Sequence, residues 1–198
     1  MGFLAKLVNT EDKIESFKKR YNFPEDVQIR YASKDDLALL QCQDLVLPFI
    51  AIVKGGVRIP MHPFLIQFLN HYRLCPLQYV LNIFRIVMGT TVLNDKLDLN
   101  LTVHDIVYMY KIQKIGKMYT LVTHNSLWKL VTGLLDSSKG RDEDFLVITR
   151  NRCDPFFGCP LTPGKPSFHC CTFITFILSP DSLINLFALF FSFRQGVY

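Results

Sequence analysis

"GGVRIPMHPFLIQFLNHYRLCPLQYVLNIFRIVMG" (residues 55–89) decides how this chain is read. It has glycines and prolines at its joints, apolar residues at helical spacing between them, and no acidic residue. Gly55-Gly56 marks a hinge or tight turn, because glycine tolerates positive φ. Pro60 and Pro63 bracket His62, and Pro63 suits the first position of a helix, where its missing N–H costs nothing. Phe64, Leu65, Phe68, Leu69 and Tyr72 then share one apolar face. Pro76 predicts the start of a second helix, with Leu77, Val80, Leu81, Phe84, Val87 and Met88 in its stripe and Val92 extending it. The link "RLCP" is short, so the two helices should pack as neighbours. Burying each large side chain contributes roughly 1.5–3 kcal/mol, so two such stripes supply a core of the needed scale. The spacing is what packing requires, and no reactive centre is evident in it.

Around this pair the pattern changes several times. Residues 4–20 predict one amphipathic helix, with Thr10 able to cap the turn at Glu11 and Ile14 and Phe17 on one face. Pro24 stops it, and Val27, Ile29 and Tyr31 alternate as a short strand does. "LALLQCQDLVLPFIAIV" is apolar and reads as helix to about Leu45. Thr102, with Asp105 as a weaker capping-box partner, predicts a third helix over "VHDIVYMYKIQKI". Val103, Ile106, Val107 and Tyr110 form its face, Lys111, Lys114 and Lys117 suit its negative end, and Gly116 terminates it. "KMYTLVT" and residues 145–149 read as strands that pair with each other, with 27–31 a further partner. "HNSLWKLVTGLLDSSKGRDED" between them reads as a short helix or turn and a polar loop. The expected fold class is α+β: a small, mainly helical domain with a short antiparallel sheet.

The composition divides near Cys153. Of 22 Lys and Arg and 17 Asp and Glu, only two of each fall in residues 153–198, which hold nine of the 17 Phe. The expected organisation is a domain over 1–152 and an apolar, low-charge tail over 153–198. "FHCCTFITFILSPDSLINLFALFFSF" (168–193) is broken by Pro180 and Asp181 into runs shorter than the about 20 residues a membrane span needs. Three readings of this tail stay open: a marginal membrane anchor, a segment packed on the domain, or an unselected extension that exposes apolar surface. Net charge is +5 with pI near 8.9, which permits contact with nucleic acid or anionic membrane without requiring it. Six cysteines without a CxxC pair, and an N-terminus without a long apolar run, read as intracellular free thiols and no signal peptide.

Motifs for chemistry are sparse. His62, His71, His104, His124 and His169 form no HxxxH or HExxH. Cys153, Cys159, His169, Cys170 and Cys171 offer soft ligands without the paired spacing of a zinc site. No GxSxG frame is present. Asp142, Glu143 and Asp144 read as a solvated charge run, and a nuclease cluster would need a distant acid such as Asp95, Asp98 or Asp105 beside them. "DSSKGRDED" (136–144) has the wrong order for a phosphate-binding loop. No catalytic residue, metal or cofactor is expected. The candidate nucleic-acid contacts are Lys111, Lys114, Lys117 and Lys129 with Trp128, beside Tyr108, Tyr110 and Tyr119. Lysines can touch phosphates while an aromatic stacks a base. The plainer account, which the spacing favours, has the lysines rim a helix end while the aromatics fill the core.

The helical blocks also resemble the gag-proximal domain of plant gypsy-type retrotransposons, a family described as putative plant transposon protein. The family's G-x-R-x-P-hydrophobic-H-P-F, L-x-P-x-Q and aromatic-Arg pattern is similar to Gly56, Arg58, Pro60, Met61, His62, Pro63, Phe64, Leu74, Pro76, Gln78, Phe84 and Arg85 here. A second block is similar at Gly133, Leu134, Asp136, Ser137, Lys139, Gly140 and Phe145, and "YNFPEDVQIRY" resembles the family's opening segment. The resemblance covers about residues 17–152. Phe84 and Arg141 stand where the family usually has Trp, and the Phe-rich tail replaces its polar continuation. What the resemblance implies is a plant host, a retroelement origin and noncatalytic interaction or assembly work, including self-association, with no accepted catalytic residues. The alternatives are a nucleic-acid-binding module around 108–129 and membrane attachment through 168–193.

Overall fold

The computed structural model describes residues 4–33, 36, 45–125, 127, 129–134 and 144–149. The expected tail over 153–198, the thiols within it and the charged loop at 135–143 lie outside these residues. The architecture is α+β, as expected, with short antiparallel sheets beside the helices.

The N-terminal segment is two pieces rather than one helix. A 3-10 turn spans Leu4–Leu7, and α1 spans Glu11–Arg20. Leu4, Ala5 and Val8 are buried, so the first piece follows the core surface instead of the axis of α1. Glu11 and Asp12 begin α1 and Lys18, Lys19 and Arg20 end it, each charge matched to the local pole of the helix. Thr10 occupies the cap position with extended backbone, but its side chain makes no capping bond.

Three strands form the first sheet: β1 (Gln28–Ser33), β2 (Leu45–Pro48) and β5 (Asp144–Thr149), in the order β1-β5-β2. Both pairings are antiparallel, with Ile29 opposite Ile148 and Leu47 opposite Leu146. Leu146, Val147 and Ile148 are all buried, which explains why β5 reads as a continuous apolar run. Leu45 begins a strand, paired with Ile148, and the rest of the helix expected up to it, residues 37–44, lies outside the described residues. Pro48 closes that strand and opens the short α2 (Phe49–Val53).

The opening stretch of sequence builds α3 (Pro63–Tyr72) and α4 (Leu81–Leu97), which pack as neighbours. Pro63 stands at the first helical position, and the left-handed Arg73 ends α3. Pro76 starts a 3-10 turn (Pro76–Gln78), not the second helix. The chain is still extended at Tyr79, which bridges to Tyr119, and the Val80 N–H donates to the Tyr119 carbonyl at 3.0 Å. That long-range bond delays α4 until Leu81. Phe84 and Val87 are buried on its inner face, but Val92 is 55% exposed, so the predicted stripe ends near Thr91.

The third helix is shorter than its sequence suggests. α5 spans Val103–Met109, and Tyr110–Ile115 is a strand, β3, paired in antiparallel fashion with β4 (Met118–Thr123). Thr102 and Asp105 do cap α5: the Thr102 N–H and hydroxyl both donate to the Asp105 carboxylate, each at 2.7 Å. Gly116 lies not at a helix end but in a two-residue hairpin loop, with φ +61. β4 thus pairs with β3 and not with β5, and two sheets replace the expected one.

A large apolar cluster unites these parts, including Phe17, Phe49, Phe68, Tyr79, Phe84, Ile106, Tyr110, Leu121, Leu146 and Ile148, and a smaller one gathers Ala32, Val46 and Val147. Phe68 and Phe84 are wholly buried, and Val107 packs against the cluster from its rim.

Candidate functional site

Two sets of residues compete for a functional role: the glycine–proline–histidine run before α3, and the lysine-bearing segment after α5. The first is used up by the architecture. Gly56 adopts φ +81. Arg58 donates to the carbonyls of Val57 (2.9 Å) and Ile52 (3.4 Å), and its guanidinium stands 5.4 Å from the Tyr21 ring centroid. The Ile59–Pro60 peptide is cis. His62 accepts the Phe64 N–H on Nδ1 at 3.1 Å, which caps the first turn of α3. Met61, Phe64 and Leu74 are buried. Gln78 accepts the Cys75 N–H at 3.1 Å, and Arg85 donates to the Lys54 carbonyl at 3.1 Å. Side chains that could have been recruited for chemistry thus cap helices, hold turns and fill the interior.

Other reactive groups are equally committed. Cys75 is buried, and burial pushes its thiol up, away from the ionised form that attacks or binds metals. His71 and His104 stack edge to face at 5.8 Å, yet among the described residues no three His, Cys, Asp or Glu side chains gather as a cation site. Asp144 is buried rather than solvated. Its carboxylate accepts the Tyr31 hydroxyl at 2.6 Å and the Leu4 N–H at 3.2 Å, tying the N-terminal turn to β1 and β5. Asp142 and Glu143 lie outside the described residues.

The lysine segment is different. Lys111 and Lys114 lie on β3, Lys117 in the hairpin loop and Lys129 in the following coil, and all four are exposed. No Asp or Glu occurs between Ile106 and Leu135. The strand corrects one expectation about these lysines. On a helix, residues 111 and 114 would share a face; on a strand they point to opposite faces. Tyr110 and Tyr119 are buried, so they cannot stack a base, while Tyr108 is 56% exposed. Trp128 lies outside the described residues. The buried Tyr110 hydroxyl accepts the Leu130 N–H at 2.8 Å, which draws the chain at Lys129 to the base of the hairpin. Burial pushes the Tyr110 phenol up, and this N–H opposes the shift in part.

A sequence cue for the hairpin exists in "KIQKIGKMYTLVT". A glycine-led two-residue loop between apolar alternations is a hairpin signal. Gly116 has positive φ and Lys117 does not, as in a type II′ turn.

No helix among the described residues is long and apolar enough to cross a membrane, and residues 168–193 lie outside them. No family model, curated protein or solved structure matches the chain.

Proposed function

We propose that this chain is a noncatalytic interaction or assembly domain of retroelement descent, whose contact surface is the β3–β4 hairpin. One observation carries the reading. The motif around 56–85 spends its polar groups on caps and backbone carbonyls, whereas the hairpin holds its lysines in solvent with no acid nearby in sequence. A reactive centre needs polar groups that converge on a shared space, and a contact surface needs them displayed. The hairpin displays them.

Sedimentation of the full chain, with and without a short uridine oligonucleotide over a series of salt concentrations, tests this. Self-association, or a complex with another protein, without nucleic acid supports the reading. Binding only to the oligonucleotide, with an affinity that falls steeply with salt, would replace it with a nucleic-acid-binding module, the slope counting phosphate contacts.

A further inference from the structure

Among the described residues β3 is an edge strand with one side of its backbone unpaired. In an antiparallel ladder, alternate residues bond to the partner strand and the residues between them turn their N–H and C=O outward. The His124 N–H donates to the Met109 carbonyl at 3.0 Å, which sets the phase of this hairpin: Lys111, Gln113 and Ile115 bond across to β4. Ile112 and Lys114 therefore direct their backbone groups away from it. On the opposite edge of the hairpin the outward Tyr119 carbonyl is taken by the Val80 N–H, so β4 is occupied at that one position. Among the described residues nothing bonds to the outward groups of Ile112 or Lys114.

The strand and its neighbours in sequence carry one sign of charge. Lys111, Lys114 and Lys117 are exposed along it and around the loop, and the segment from Ile106 to Leu135 has no acidic residue. Ile115 and Tyr108 add exposed apolar surface at its two ends. Lysines on an edge oppose pairing between two copies of the same strand, because each copy would bring its own row of positive charge to the contact. The same charges favour an extended segment of opposite sign.

We propose that the outer edge of β3 receives an acidic, extended peptide segment of a partner protein as an added third strand. The N–H and C=O of Ile112 and Lys114 supply the ladder, Lys111, Lys114 and Lys117 select carboxylates, and Ile115 and Tyr108 contact apolar residues between them. This deepens the reading of the chain as an interaction domain and rests on it. A nucleic acid would meet the charges but leave the ladder groups unused, and only one described aromatic of the site, Tyr108, is exposed.

The test uses the full chain and two labelled peptides, one of Val-Val-Glu-Glu repeats (the Val–Glu peptide), which brings carboxylates to both faces of an added strand, and one with Lys in place of Glu (the Val–Lys peptide). The expected results are binding of the Val–Glu peptide alone, weakening with salt, and slowed amide exchange at Ile112 and Lys114. Lys114→Pro removes an outward N–H that β4 does not use, and should weaken binding by at least about tenfold. Lys114→Ala keeps that N–H and should weaken it less. Lys111→Glu with Lys114→Glu should transfer preference to the Val–Lys peptide. If Lys114→Pro fails to fold by circular dichroism, the amide exchange of the unaltered chain decides. The proposal is overturned if neither peptide binds, if binding leaves the Ile112 and Lys114 amides unprotected, or if the uridine oligonucleotide competes for the same lysines while those amides stay open. Self-association that persists in Lys114→Pro, with no peptide bound, would sink the edge proposal while leaving the interaction domain standing.

Discussion

The two sheets of this protein differ in what they leave exposed. In the first, β5 is paired on both sides, its residues 146–148 are buried, and the acidic group at its start is consumed by Tyr31 and Leu4. In the second, Val80 bonds β4 at Tyr119, while among the described residues β3 keeps one side open and carries lysines into water. Both sheets are short and antiparallel, so strand geometry does not separate them. Burial does: a strand enclosed on every side has only a structural task left to it, and a strand with an open edge can still make contacts.

Substitutions probe that contrast in descending order. Phe84→Ala empties a wholly buried ring site beside Tyr79, and should cost about 3–5 kcal/mol in urea unfolding. A loss below about 1 kcal/mol would mean that the helical pair is not part of the shared interior. Asp144→Ala strands the Tyr31 hydroxyl and the buried Leu4 N–H and should cost about 2–3 kcal/mol by the same measurement. An unchanged midpoint would return Asp144 to the solvated run that its neighbours in sequence suggest.

Tyr79→Phe sharpens the comparison from within the core. The Tyr79 hydroxyl is buried with no hydrogen-bond partner among the described residues, and burial pushes its phenol far up. Removing that oxygen should leave stability at neutral pH unchanged or raise it by about 1 kcal/mol. The sign of the pH dependence follows from the same shift. The unfolded phenol ionises near about pH 10 while the folded one stays protonated, so the native protein loses stability as pH rises beyond that point. Thermal melts at alkaline pH should fall less steeply in the Phe variant, with Tyr110 and Cys75, both shifted up, sustaining the remainder of the slope. At the small end, replacing Lys111, Lys114 and Lys117 together by Gln should move the unfolding free energy by no more than about 0.5 kcal/mol each, because these side chains are solvated and the ladder does not depend on them.

Local chemistry made part of this molecule readable. Pro63 after His62 announced the start of α3, Thr102 with Asp105 announced α5, and the short apolar stretch at 145–149 announced β5. In each case the deciding groups lie within a few residues of one another. What was hidden depended on distant partners. Leu45 looks helical until Ile148 is placed beside it, and the delay between Pro76 and Leu81 exists because Tyr119 bonds to Val80. Tyr110 belongs to two patterns at once, the last apolar position of a helical face and the first of an alternating strand. Its pairing opposite Thr123, and that of Ile112 opposite Leu121, settle the ambiguity for the strand. The candidate lysines were legible as residues, but their division between two faces was not, since it follows from that same choice.

The position of β5 has a consequence for how the protein is made. It is the middle strand of its sheet, yet β1 and β2 both precede it by most of the domain. Chains leave the ribosome N-terminus first, so the two outer strands emerge well before the one that joins them. During that interval their ladder groups have no native mate, and closing the sheet waits on contacts of high sequence separation, which form slowly. A nascent chain halted before Asp144 would hold every described helix and still lack the strand that unites its first sheet.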